Sequence, residues 1–201
     1  AMHVIALEGG PINTLDDLKG QRVGLCQPGC MSMFDANVFM NTVAGDDFPP
    51  FLVNPDHMVD MLSDGNIDAA LWNGSFPLPP VIKLSAQRDL KLLPISDEFF
   101  TSLNADFPPY FRLKIPGGTY EDVAADTPSY GLANGLVISA EVPEERVYLM
   151  TRAIFENLES LAGVHPAFGR MSKDTILNGF GAPLHPGALR YYREINVTGI
   201  E

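Results

Sequence analysis

Short apolar runs alternate with segments of helical period along this chain. Residues 4–7 read as a buried strand closed by Glu8-Gly9-Gly10-Pro11, a turn by composition. A short helix follows, with Thr14 as its cap, Asp16 and Asp17 in the first turn where the dipole favours acids, and Gly20 beyond its end. Residues 22–26 predict a second strand, and Gln27-Pro28-Gly29 leads into Met33, Phe34, Val38 and Phe39 at near-helical spacing, so that strand, turn and helix make one βα unit. The next helix starts after a cap at Asp56, carries Met58, Val59 and Leu62, and stops at Gly65; residues 67–72 then form a strand. Pro77, Pro79 and Pro80 open a helix over 81–87, since proline is tolerated in a first turn, and residues 90–95 return as a strand.

Ser96 with Asp97 and Glu98 starts a further helix, ended by Pro108-Pro109 before an alternating strand at 110–115. Strands alternating with helices of this length predict an α/β fold with a largely parallel sheet flanked by helices. Residues 130–140 are strand-like, although Asn134-Gly135 equally suits a hairpin turn. Pro143-Glu144-Glu145 begins the longest helix, with Val147, Thr151, Ile154, Phe155, Leu158 and Leu161 on one face. The tail, 172–194, reads as two short helices broken at 183–187.

Composition narrows the function classes. With 201 residues, 46% of them hydrophobic and 19% charged, the chain buries a sizeable core and is not disordered. A net charge of -12 argues against nucleic acid as the partner, so an anionic ligand has to be caught by local geometry. No apolar run reaches the roughly 18 residues of a membrane span. Residues 1–7 show neither a basic leader region nor a cleavage site, which leaves a cytosolic chain or one whose leader has been removed. Cys26 and Cys30 are too few for a disulfide framework and wrongly spaced for a zinc finger; their pairing stays open.

Several stretches offer chemistry. Pro28-Gly29-Cys30-Met31-Ser32 is a glycine turn at a helix start, where unpaired backbone N–H groups attract an anion; the alternative is an ordinary βα turn with a capping serine. It is not a P-loop, because no Gly-Lys-Ser/Thr follows. Cys30, with Cys26 as resolving partner, suits a redox or nucleophilic thiol, against the plainer reading of two small core residues. Trp72-Asn73-Gly74-Ser75 lies at the carboxyl end of a strand, where open α/β sheets place ligands, unless the tryptophan merely packs under the proline-rich loop. Tyr110 and Tyr120 flank a second glycine turn, Ile115-Pro116-Gly117-Gly118-Thr119. Arg112 and Lys114 share one strand face, as countercharges for an acid or as a solvated surface. His57, His165 and His185 are scattered and make no metal set, and neither a Gly-x-Ser-x-Gly elbow nor a His-Glu-x-x-His pair occurs.

Taken in order, Leu15-Asp16-Asp17-Leu18-Lys19-Gly20-Gln21-Arg22-Val23-Gly24, Asp64-Gly65-Asn66-Ile67-Asp68-Ala69-Ala70, Ile115-Pro116-Gly117-Gly118-Thr119-Tyr120, Val147-Tyr148 with Phe155-Glu156-Asn157-Leu158, and Pro183-Leu184-His185-Pro186-Gly187-Ala188-Leu189-Arg190-Tyr191-Tyr192-Arg193-Glu194 form a pattern. It resembles the TAXI-type solute receptors of tripartite ATP-independent periplasmic (TRAP) transporters over nearly the whole chain. The Asp-Leu-Lys-Gly element is shared by many type II periplasmic binding proteins, whereas the Pro-Gly-Gly-Thr-Tyr and His-Pro-Gly-Ala pieces are more specific.

The resemblance implies a type II periplasmic binding fold, two α/β lobes closing on a small anionic solute of the glutamate, glutamine or dicarboxylate class. Such a receptor works in the periplasm, hands its solute to the TRAP membrane permease, catalyses nothing and needs no cofactor. The family's Gly-Ser-Gly-Thr carboxylate-holding turn falls on Gly29, Cys30, Met31 and Ser32, where only the first glycine and last hydroxyl are kept. Its aromatic strand end falls on Trp72, with Asn73 and Ser75 beside it, and Tyr120 completes the implied ligand set. Family members carry about a hundred further residues of a first lobe before this point. Residues 1–141 therefore correspond to the second lobe and 142–201 to C-terminal helices returning to the first, and this chain alone is expected to bind solute weakly or not at all. Two rivals predict other features: a regulatory effector module on the same fold predicts an upstream helix-turn-helix, and a thiol enzyme predicts a rapidly alkylated Cys30.

Overall fold

The computed structural model describes residues 1–45 and 49–200, leaving aside the side chains of Pro55, Asp56 and Asp106, so the capping role expected of Asp56 lies outside the described residues. The chain forms two compact units, Ala1–Gly131 and Leu132–Glu201, and residues 132–141 group with the second.

The first unit is built on a five-stranded sheet. Its strands are β1 (Met2–Leu7), β2 (Val23–Cys26), β3 (Phe51–Val53), β4 (Ala69–Asn73) and β5 (Leu90–Leu92), in the spatial order β3-β2-β4-β1-β5. β2 is parallel to β3 and β4, and β1 is antiparallel to β4 and β5. Four strands thus point one way, as expected of an α/β lobe, and β1 alone runs against them. Five consecutive residues of β1 are buried, the signature of a strand covered on both faces. Helices α1 (Met31–Ala44), α2 (Pro55–Ser63), α3 (Pro79–Ser85) and α4 (Asp97–Asp106) follow β2, β3, β4 and β5, and a hairpin of β6 (Phe111–Ile115) and β7 (Thr127–Gly131) closes the unit.

Local chemistry accounts for most boundaries. α1 buries Ser32, Asp35, Ala36, Phe39, Met40 and Val43, the three-and-four spacing of one face. Ser96 caps α4, its Oγ accepting the Phe99 N–H at 3.1 Å. Ser96→Ala is expected to lower stability by about 1 kcal/mol in urea unfolding, because it orphans that donor. The helix expected after Thr14 is a single 3₁₀ turn, Asp16–Leu18. Thr14 does not cap it; Asp17 Oδ2 accepts the N–H groups of Asn13 and Thr14 at 2.9 and 2.8 Å. Two of the sequence pieces singled out above meet where Arg22 grips Asp68 through Nε at 2.9 Å and Nη2 at 2.6 Å, tying the entry of β2 to that of β4. β3 was not foreseen, being only three residues long with Phe51 and Leu52 exposed.

In the second unit α5 (Glu144–Glu156) packs against α7 (Pro186–Glu194), with α6 (Leu158–Val164) and a 3₁₀ turn at Pro166–Arg170 between them in sequence. The long helix expected from Pro143 breaks at Asn157, whose φ of -120° and ψ of 20° are not helical, and α1 is the longer element. Residues 132–139 carry no strand, β7 ending at Gly131, and the tail forms one helix rather than two. Among the described residues, no helix is long and apolar enough to cross a membrane.

Candidate functional site

The chain leaves β2 through α1 to β3 on one side and returns through α2 to β4 on the other, so the sheet's switch point lies between the carboxyl ends of β2 and β4. A crevice there is where open α/β sheets receive ligands. Gly29 shapes the turn on the β2 side: φ is +93°, which side chains disfavour, and the turn closes with the Cys30 N–H donating to Gln27 O at 3.3 Å. Cys26 and Cys30 are joined in a disulfide across this turn, with their Cα atoms 6.2 Å apart. α1 begins at Met31, so the N–H groups of Met31 and Ser32 have no carbonyl four residues back within the helix.

On the β4 side stands Asn73, the last residue of that strand. Its backbone N–H donates to Ser32 Oγ at 2.7 Å, which fastens the start of α1 to the end of β4. Its side-chain Nδ2 donates to Asp35 Oδ2 at 2.5 Å, and the Tyr110 hydroxyl donates to Asp35 Oδ1 at 2.8 Å. Asp35 is 1% exposed. Burial raises its carboxyl above the ordinary value of 3.8, and the hydrogen bonds from Tyr110 and Asn73 oppose that rise. Burial, and then the bond to Asp35, push the Tyr110 phenol up. The Tyr130 ring packs 4.8 Å from that of Tyr110, and its buried hydroxyl has no partner among the described residues.

Gly29, Cys30, Met31, Ser32 and Asn73 therefore come together at one point, with half-buried Trp72 and Ser75 flanking Asn73 in sequence. Trp72 packs on the hydrophobic core while its carbonyl faces His3 Nδ1 at 3.2 Å. Met31 and Phe34 stand exposed on the first turn of α1. Tyr120 is placed differently: it is buried in the core, its hydroxyl accepting the Leu78 N–H at 2.9 Å and lying 2.9 Å from His3 Nε2. Burial pushes its phenol up to about 12. Arg112 and Lys114 already have acidic partners, Asp97 and Asp126 respectively. Sequence reasoning missed Asp35 and His3. The available signal for Asp35 was a lone acid on the apolar face of α1, where an unpaired carboxylate is too costly to bury.

The model of the NMT1-like family matches residues 1–195. Among solved structures, the periplasmic aliphatic sulphonate-binding protein SsuA of Escherichia coli is 26% identical over 46% of this chain and 29% of its own, with a TM-score of 0.36. The alkanesulfonate-binding protein SsuA of Xanthomonas axonopodis pv. citri, bound to MOPS, is 16% identical over 97% of this chain and 62% of its own, with a TM-score of 0.38. The second substrate-binding domain of Lactococcus lactis GlnP, in open conformation, is 16% identical over 53% and 52%, with a TM-score of 0.36. The chain thus spans between 29% and 62% of the length of these proteins.

Proposed function

The chain belongs to the NMT1-like family, and from that premise we propose that it is one lobe of an extracytoplasmic solute receptor of the TAXI type, presenting a small anionic solute to a TRAP permease without transforming it. The observation that carries this reading is the Ser32–Asn73 hydrogen bond of 2.7 Å, which sets a helix N-terminus against a strand end at the switch point. Backbone donors and the helix dipole there suit a carboxylate or sulfonate even on a chain of net charge -12. The Cys26–Cys30 disulfide fits an oxidising compartment such as the periplasm. It also leaves no free cysteine among the described residues, which opposes a nucleophilic thiol at Cys30.

A second lobe is supported by the unpaired segment at 132–139. Leu136, Val137 and Ile138 are 82%, 88% and 38% exposed. Successive residues of an extended chain face opposite sides, so this apolar run needs cover on both, as a strand inside a helix-covered sheet has. Residues 1–131 then supply one lobe, and residues 132–139 supply a strand to the sheet of another.

Thermal shift with glutamate, glutamine, 2-oxoglutarate and short alkanesulfonates, on this chain and on the full-length gene product, tests the reading. One acid is expected to stabilise the full product, by about 2.7 kcal/mol at a hundredfold excess over Kd. Ser32→Ala is expected to reduce the shift. No shift with any acid, or one untouched by Ser32→Ala, overturns the proposal.

A further inference from the structure

The polarity of the hydrogen bonds around Asn73 says what the crevice asks of a solute. An ionised carboxylate only accepts, and Asp35 receives one bond from Asn73 Nδ2 at 2.5 Å and one from the Tyr110 hydroxyl at 2.8 Å. The amide of Asn73 is therefore oriented by chemistry, with its nitrogen committed inward. Its Oδ1 receives no hydrogen bond from the described residues. Tyr110 is itself held, 4% exposed, with Phe107 and Tyr130 rings 5.9 and 4.8 Å away, so the clamp on Asp35 cannot swing aside cheaply. Ser32 Oγ is used as the acceptor for the Asn73 backbone N–H, which frees its own O–H to donate.

We propose that Asp35 is a positioning residue: by holding the Asn73 amide nitrogen it leaves the Asn73 carbonyl oxygen as the group the site offers, so the solute must carry a hydrogen-bond donor beside its anionic group. The inference rests on the site proposed above. Donors of α1 and Ser32 meet the anion, and one acceptor meets an amino or hydroxyl group next to it. Without Asp35 the amide rotates freely and presents either end.

The test uses matched solutes differing in that donor, titrated calorimetrically into the full-length protein: L-glutamate against glutarate, 2-hydroxyglutarate against 2-oxoglutarate, and taurine against ethanesulfonate. The donor-bearing member of the pair that binds is expected to be at least about tenfold tighter, since its partner leaves a carbonyl unmet. Asn73→Ala removes the acceptor and keeps the backbone bond to Ser32; it should bring the ratio to about twofold or less, within the scatter of such contributions. Asp35→Asn, similar in shape, lets the two amides pair in either sense and should do the same, with thermal unfolding confirming that both variants fold. Loss of discrimination in Asn73→Ala but not in Asp35→Asn overturns the role of Asp35. Binding without discrimination in the parent protein overturns the inference while leaving the anion site standing. Absence of binding by every pair overturns the site reading and the inference with it.

Discussion

Gly187→Ala is expected to separate α7 from α5 and to cost about 3 kcal/mol or more, at the upper end of what overpacking does. A Cβ at this buried position would sit 2.2 Å from Glu144 O, 2.7 Å from Tyr148 N and 3.0 Å from Val147 Cβ. Two of those atoms are backbone, so no side chain can turn away and the helices themselves must move. Around that contact the pair is held by His185, whose Nδ1 accepts the Gly187 N–H and whose Nε2 donates to Val142 O, both at 3.1 Å. Tyr148 donates to Glu194 Oε2 at 2.8 Å, and the Arg190 guanidinium lies 3.8 Å from the Tyr148 ring centre. The contacts that cross between the two helices depend on the close approach that glycine permits. Gly163, in α6, meets nothing within 4 Å, so Gly163→Ala is expected to be neutral or to stabilise by about 0.5–1 kcal/mol. Far-UV circular dichroism under urea reads both variants. The single tryptophan, Trp72, reports the first unit and should keep its midpoint in each.

The same motif shows what the sequence discloses and where it stops. His-Pro-Gly-Ala through Tyr-Tyr-Arg-Glu is legible as a recurring piece, but its meaning is architectural: a cap, a glycine contact and a ring of aromatic and charged side chains joining two helices. The βα unit around Gly29 and the strand ending at Asn73 were readable, because a glycine turn and a buried apolar run are local signals. Their junction through Ser32 was not, since the partners lie 41 residues apart and only the sheet order brings them together. The antiparallel sense of β1 was likewise hidden, as a strand buried on both faces has the same apolar run in either direction. Residues 130–140 held only at their start, Tyr130 and Gly131 in β7, and the rest departs for a different reason. Their strand propensity is genuine, but a strand needs a partner edge, and beyond Gly131 the described residues provide none. Tyr120 was implied as a ligand contact by its motif, whereas the structure gives its hydroxyl to Leu78 and His3.

That last arrangement makes the first unit sensitive to acid. His3 is 1% exposed on β1, and burial above all lowers its pKa from 6.5 to about 3. In the neutral ring that burial favours, Nδ1–H points at the carbonyls of Ala1 and Trp72, 3.1 and 3.2 Å away, which leaves Nε2 to accept from Tyr120, and Tyr120 in turn accepts from Leu78 N–H. The unfolded chain takes up a proton at pH 6.5 and the folded one only near 3, so below 6.5 the unfolded state binds more protons and stability falls with pH. The slope is about 1.4 kcal/mol per pH unit, so the loss across the window is on the order of a few kcal/mol. Asp35, its carboxyl raised by burial, has the opposite sign and returns part of this loss as the pH approaches its own titration. Asp68, held low chiefly by the Arg22 side chain, adds to the loss only below the ordinary carboxylate range. His3→Gln keeps a donor and an acceptor and removes the titration. Urea midpoints followed by Trp72 fluorescence should therefore fall steeply between pH 6.5 and 4 in the parent chain and far less in His3→Gln, whatever the variant's absolute stability. Parallel curves would mean that His3 is protonated in the folded state, and the neutral ring accepting from Tyr120 would have to be abandoned.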